Sequence, residues 1–251
     1  MQRYFVQPDQ MTDTLVSIKG EDAKHISKVM RMTPGDHVIC SDNQGRVARC
    51  AILELTDSSV ELSVAEWIGN ETELPISVTI AQGLPKHDKL EMIVQKGTEL
   101  GAERFIPFQA DRSIVKWDSK KSKKKTERLQ RIIKEAAEQS QRNKMPECIE
   151  PVSFKELISQ SESYMMKIVA YEEQAKQNET SRLAKLLSRA DIGNESIIIV
   201  IGPEGGLTEH EVQHLQDAGF IACGFGPRIL RTETASLYVL SAISYQLELL
   251  R

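Results

Sequence analysis

Over the last two-thirds of the chain, short β-branched runs that stop at glycine alternate with stretches of helical period. The clearest run is residues 197–201, Ile-Ile-Ile-Val-Ile, followed at once by Gly202-Pro203-Glu204-Gly205-Gly206. Apolar side chains at successive positions mark a strand buried on both faces. Thr208 then offers a capping hydroxyl with Glu211 three residues on, so a helix is predicted from there to Ala218, with Gly219 as its left-handed stop. Residues 220–225 repeat the plan as a strand, Gly226-Pro227-Arg228-Ile229-Leu230-Arg231 form a second loop, and Thr232 is predicted to cap a last helix. Upstream, residues 76–81 predict a strand, Asp88 a cap with Glu91 in the reciprocal position, Gly101 a helix stop, and residues 103–108 the next strand. A helix over 154–160, a strand over 165–171 and a helix over 180–189 continue the series. Such alternation implies an α/β fold with a parallel sheet covered on both faces. Both glycine loops leave the carboxyl ends of strands, where open α/β sheets bind ligands.

The first part of the chain reads differently. Residues 14–18, 37–40, 47–53 and 60–64 are short strand candidates separated by Pro34-Gly35-Asp36 and Asp42-Asn43-Gln44-Gly45 turns, with one short helix near residues 22–30. Residues 67–74 read as a linker, giving two domains, 1–70 and 74–251. Residues 116–134 hold nine Lys or Arg and two acids. The run Lys120-Lys121-Ser122-Lys123-Lys124-Lys125 is read as a solvated loop, with phosphate contact as the competing reading. Ile132, Ile133, Ala136 and Ala137 then give a helix an apolar face, and Glu138-Gln139-Ser140-Gln141-Arg142 ends it.

Composition narrows the function. With 251 residues, 27% of them charged and a net charge of −4, the chain is no indiscriminate polyanion binder, so nucleic-acid contact must rest on local basic patches. In the first domain Lys24, Lys28, Arg31 and Arg49 are candidates for phosphate contact, a solvated surface being the alternative. Four cysteines without a Cys-x-x-Cys pair suit reduced thiols, neither a disulfide frame nor a zinc site. No apolar leader and no run of membrane length is present, so a cytoplasmic protein without membrane contact is expected.

The glycine loops fit neither familiar phosphate pattern. No lysine follows Gly206 as a P-loop demands, and Leu230 lies beyond the place of the third glycine in a dinucleotide fingerprint. Glu204 would also repel a phosphate at a helix N-terminus. The loops therefore suit a nucleoside-like ligand without phosphates. A competing motif, His210-Glu211-Val212-Gln213-His214, matches the zinc-protease pattern, but no third ligand follows at a recognisable spacing and Glu211 already has a capping role.

Ile201-Gly202-Pro203-Glu204-Gly205-Gly206 and Gly226-Pro227-Arg228-Ile229-Leu230-Arg231-Thr232-Glu233-Thr234-Ala235 closely resemble the two signature motifs of the bacterial 16S ribosomal RNA uracil-N3 methyltransferases. These belong to the SPOUT class of S-adenosylmethionine enzymes. The resemblance extends over Leu84-Pro85-Lys86, Lys96-Gly97-Thr98-Glu99-Leu100-Gly101, Pro107, Arg112-Ser113 and the Glu138–Arg142 element, and over His25-Ile26-Ser27-Lys28-Val29-Met30-Arg31 in the first domain. His87 departs from it, standing where the family commonly has glycine. The resemblance implies a PUA-like RNA-binding barrel followed by a SPOUT domain whose C-terminal segment forms a trefoil knot. General topology rules would instead call for an unknotted crossover.

The implied cofactor is S-adenosyl-L-methionine and the implied partner 16S rRNA or the small ribosomal subunit, with no metal. Ile201, Gly202, Gly205, Gly206, Phe225, Gly226, Ile229, Leu230 and Thr234 are the expected cofactor contacts, mostly through main chain, with Leu230 beside the adenine. Lys28, Arg31, Lys86, Arg112 and Arg142 are expected on RNA. Uridine N3 carries a proton at neutral pH and must lose it, which calls for a base or a cation that stabilises the uracil anion. Arg228 and Arg231 flank the second loop for the latter role, and Glu233 is the nearest base. Leu237, Val239, Leu240, Ile243, Leu247 and Leu250 give the last helix more apolar surface than one face needs, so a homodimer is expected through it. A non-catalytic rRNA-binding assembly factor and, more remotely, a zinc hydrolase are the alternative functions.

Overall fold

The computed structural model describes residues 1–56, 58–69, 72–171, 182–189 and 196–250. The chain divides into two units, residues 1–73 with 134–145, and residues 74–133 with 146–251. Residues 134–145, expected in the second domain, thus cluster with the first. Asn70 of the expected linker and Thr180 of the expected helix lie outside the described residues.

In the first unit five strands form one curled sheet, β1 (Arg3–Phe5), β2 (Leu15–Lys19), β3 (His37–Ser41), β4 (Val47–Leu55) and β5 (Ser59–Trp67), in the order β1-β3-β4-β5-β2. Neighbours are antiparallel except β1 on β3. β1 was not anticipated, because its three residues are too few to show a period. Register shifts between Arg49 and Cys50 and between Ile52 and Glu54 bend β4, as bulges do. Val16, Ile18, Val38, Cys50, Val60 and Leu62 point to one interior with Ile26. Ile26 comes from a helix that starts as α1 (Glu21–Lys24) and widens into a π turn, His25–Val29.

Seven parallel strands make the sheet of the second unit: β6 (Ser77–Gly83), β7 (Arg104–Gln109), β8 (Glu147–Cys148), β9 (Val152–Ser153), β10 (Met166–Ala170), β11 (Ser196–Ile201) and β12 (Ile221–Cys223). Their order is β12-β10-β11-β6-β7-β8, with β9 also on β7. β11 sits between β10 and β6, and Ile197 to Val200 are fully buried there, as the unbroken apolar run requires. Around the sheet lie α2 (Lys89–Glu99), α3 (Ser119–Gln139), α4 (Phe154–Gln160), α5 (Arg182–Leu187), α6 (Glu209–Asp217) and α7 (Thr232–Ser244).

Helix starts test the capping expectations. At α6 the Thr208–Glu211 box is present, and Gly219 follows at φ +90°. At α2 it is absent. Asp88 already has near-helical dihedrals and makes no side-chain cap bond, because the chain enters through His87 at φ +55°. That left-handed conformation favours glycine. Thr232 is not the cap of α7 but its first residue; Arg231 is the N-cap and offers no side-chain bond. The lysine run is not a loop: it forms the first turns of α3, since Ser122, Leu129, Ile133, Ala136 and Ala137 recur at helical spacing and are buried. In α7 and the π turn after it, Val239, Leu240, Ile243 and Leu247 are buried within this chain, which accounts for most of the apolar surplus.

Candidate functional site

Strand β11 delivers the chain into Gly202, and Gly206 N–H closes a turn on the Pro203 carbonyl at 2.8 Å. A Cβ on Gly202 would lie 2.9 Å from the Gly206 carbonyl carbon, so the tight turn admits only glycine there. Gly226 holds φ +86° in the second loop, again a conformation for glycine. One buried side chain fastens the two loops. Gln82, in β6, donates from Nε2 to Thr232 Oγ1 at 2.8 Å and to the Gly83 carbonyl at 3.0 Å. Its Oε1 accepts from Ser236 at 2.9 Å, and Thr232 donates its own proton to the Gly202 carbonyl at 2.6 Å.

Between the loops lies a cleft of about 830 Å³. It is lined by Ile201, Gly202, Gly205 and Gly206 from the first loop, and by Phe225, Gly226, Ile229 and Leu230 from the second. Thr234, expected with them, is exposed and does not line it. Arg228 and Arg231 line the cleft, whereas Glu233 is buried behind it, 9% exposed. Phe225 stacks on Tyr238 of α7 with ring centroids 6.2 Å apart.

Sequence reasoning missed Lys89, Ala170 and Tyr171, which also line the cleft. Lys89 had a legible signal: a cation in the first position of α2 opposes the helix dipole. Its Nζ lies 3.1 Å from Glu204 Oε1 and 3.1 Å from Glu233 Oε2. Hydrogen bonding to Glu204, and then to Glu233, outweighs desolvation and pushes Lys89 above its ordinary pKa, so it stays an ammonium. Burial opposes the charge of Glu204. Its own backbone N–H, Lys89 and the Lys86 N–H at 3.0 Å outweigh burial and hold the carboxyl below its usual value.

The residues expected on RNA are divided between the two units. Lys28 and Arg31 are exposed in the first unit, and Arg31 takes φ +53°. Lys86 and Arg112 belong to the second unit, where Arg112 donates to the Gly205 carbonyl at 3.0 Å and lines the cleft. Arg142 is 3% exposed, and its guanidinium is bound by Glu73 within the first unit.

The zinc motif dissolves as well. His210 and His214 stand 4.0 Å apart, but Glu211 is 2% exposed and both its oxygens are taken, Oε2 by Thr208 at 2.8 Å and Oε1 by the Asp111 N–H at 2.9 Å. Among the described residues no group of three or more His, Cys, Asp or Glu could hold a metal.

A parallel sheet with a cleft of glycine main chain at its strand ends is the arrangement in which α/β proteins bind a small ligand. The chain belongs to the RNA methyltransferases: residues 72–244 match the RNA methyltransferase domain and residues 18–65 the RNA methyltransferase PUA domain. It is 52% identical to ribosomal RNA small subunit methyltransferase E of Bacillus subtilis, over 100% of this chain and 99% of that one. The enzyme of the same name from Mycobacterium tuberculosis is 30% identical over 96% of this chain and 90% of its own. Among solved structures, ribosomal RNA small subunit methyltransferase E from Neisseria gonorrhoeae bound to S-adenosyl methionine superposes with a TM-score of 0.84 at 28% identity, covering 97% of each chain.

Proposed function

We propose that this protein transfers a methyl group from S-adenosylmethionine to N3 of a specific uridine in 16S ribosomal RNA. The observation that carries the reading is the pair of glycine loops fastened by Gln82 and Thr232 into one cleft. The cleft fits the cofactor: main chain of Gly202–Gly206 and Gly226, apolar Ile201 and Leu230, and open space where a Gly206 Cβ would stand. When bound, S-adenosylmethionine supplies an electrophilic methyl group. Arg228 and Arg231 at the cleft stabilise the uracil anion formed as N3 gives its proton to a base, the role assigned to the Glu233 carboxylate.

Lys28 and Arg31 dock RNA from the first unit, with Lys86 and Arg112 contributing from the second. The C-terminal segment is knotted, a reading that rests on the match of residues 72–244 to the RNA methyltransferase domain. Two copies pair through the exposed Tyr238, Tyr245, Leu249 and Leu250 beside α7. No helix among the described residues is long and apolar enough to cross a membrane. Its action on ribosomal RNA would take place in the cytoplasm.

The test incubates the protein and S-adenosylmethionine with small ribosomal subunits and with naked 16S RNA, followed by nucleoside mass spectrometry. New 3-methyluridine at one position is expected. Cofactor binding without any methylated nucleoside would favour a non-catalytic assembly factor, and methylation at another atom would overturn the N3 assignment.

A further inference from the structure

We propose that Lys89 is a positioning residue of the methyl-transfer site, acting through Glu204 and Glu233; the turnover arm of this proposal rests on the function above. The ammonium lies 3.1 Å from each carboxylate. These three side chains come from three different segments: the start of α2, the first glycine loop, and the first turn of α7 after the second glycine loop. One cation therefore ties the first glycine loop to the first turn of α7.

Its location is costly in local terms. A positive charge at the first helical position faces the positive end of the α2 dipole, and Asp88 supplies no compensating cap. The two carboxylates reverse that penalty. The side chains are 26% exposed for Lys89, 28% for Glu204 and 12% for Glu233. The Lys89–Glu204 pair, open to water, adds little to global stability, whereas Glu233 is the buried member of the trio. Their effect is geometric: Lys89 sets where Glu204 holds the first loop and where the Glu233 carboxylate stands behind the cleft wall. Glu204 is fixed from its other side by the Lys86 N–H, so the β6–α2 connection grips the first loop twice.

Around this trio the cleft also presents Arg112, Arg228, Arg231 and Glu209. The Arg112 Nη1 is engaged by the Gly205 carbonyl. Among the described residues Lys89 is the cation that pairs with both Glu204 and Glu233.

The experiment uses the full chain with Lys89→Met, Lys89→Arg, Glu204→Gln and Glu233→Gln, and Lys89→Met combined with each carboxamide. Titration calorimetry reads S-adenosylmethionine affinity, and single-turnover methylation of small subunits at saturating cofactor reads the chemical step. Lys89→Met is expected to weaken affinity and to slow turnover, each by about tenfold, at a temperature where thermal unfolding shows the variant still folded. Added to Glu204→Gln it changes affinity by no more than about twofold, and added to Glu233→Gln it changes turnover by no more than about twofold, because the partner is already gone. Lys89→Arg stays within about threefold of the parent on both readouts. Multiplicative effects in both double variants, or parent-level behaviour of Lys89→Met, would overturn the proposal. The affinity arm does not depend on which RNA atom is methylated, so a wrong nucleoside assignment leaves it decisive.

Discussion

Thr232 Oγ1 stands 2.6 Å from the Gly202 carbonyl oxygen and receives the Gln82 amide at 2.8 Å, so one hydroxyl serves as donor to the first glycine loop and acceptor from the central sheet. Replacing it with valine keeps the shape and removes both bonds. Thr232→Val is expected to cost about 1–3 kcal/mol, since the buried Gln82 and Gly202 groups lose a partner. Urea unfolding measures the loss, and calorimetry should show weaker S-adenosylmethionine binding. Thr232→Ser, which keeps the hydroxyl, should retain most of both.

Arg142 and Glu73 make a different kind of pair, buried in the first unit. Besides the guanidinium, Glu73 accepts the Asn143 N–H at 2.9 Å and the Lys144 N–H at 3.0 Å. Arg142→Met leaves that carboxylate without its cation, and a loss of about 3–5 kcal/mol is expected. Denaturant unfolding checks it. RNA affinity of the folded variant, measured below its unfolding transition, should match the parent.

Acid sensitivity centres on Asp42, buried in the β3–β4 turn. Burial opposes its charge, but the Arg46 side chain at 2.7 Å and the backbone N–H groups of Gln44 and Arg46 prevail, holding its pKa below the ordinary 3.8. A carboxyl with a depressed folded pKa contributes stability above its ordinary value and loses it as pH falls through the folded value. Asp42→Asn should therefore be less stable than the parent at neutral pH. The gap, read as a difference in urea midpoints, should close on acidification below pH 3.8.

The exposed lysines at the start of α3 give a salt-dependence test. Lys120, Lys123 and Lys124 project from a helix whose buried face is Ser122, Leu129 and Ile133. If they meet phosphate, each Lys→Gln change should flatten the slope of log affinity against log salt by about 0.7–0.9. Filter binding to 16S RNA across a salt series measures it. Turnover at saturating RNA should not move.

β11 was legible because it is buried on both faces and so carries an unbroken apolar run, whereas β6, equally buried, holds Thr79 and Gln82 among its apolar residues. The cleft was legible because glycines must stand where backbone turns sharply, and eight of the nine expected cofactor contacts line it. What escaped has a common cause. The roles of Thr232, Lys89 and Arg142 depend on partners far away in sequence, Gly202, Glu204 and Glu73, and no local period records such a pairing. The lysine run misled for the opposite reason: its charge hid a sparse buried stripe through Ser122, Thr126 and Leu129 that makes it a helix.

Gln82 has a consequence for biosynthesis. Its carboxamide is placed early in the chain, yet its partners Thr232 and Ser236 emerge from the ribosome some 150 residues later. A chain that ends before them leaves the Gln82 carboxamide short of both side-chain partners and the cleft short of its second wall. Such a truncated chain is expected to be less stable and more readily proteolysed than the full one.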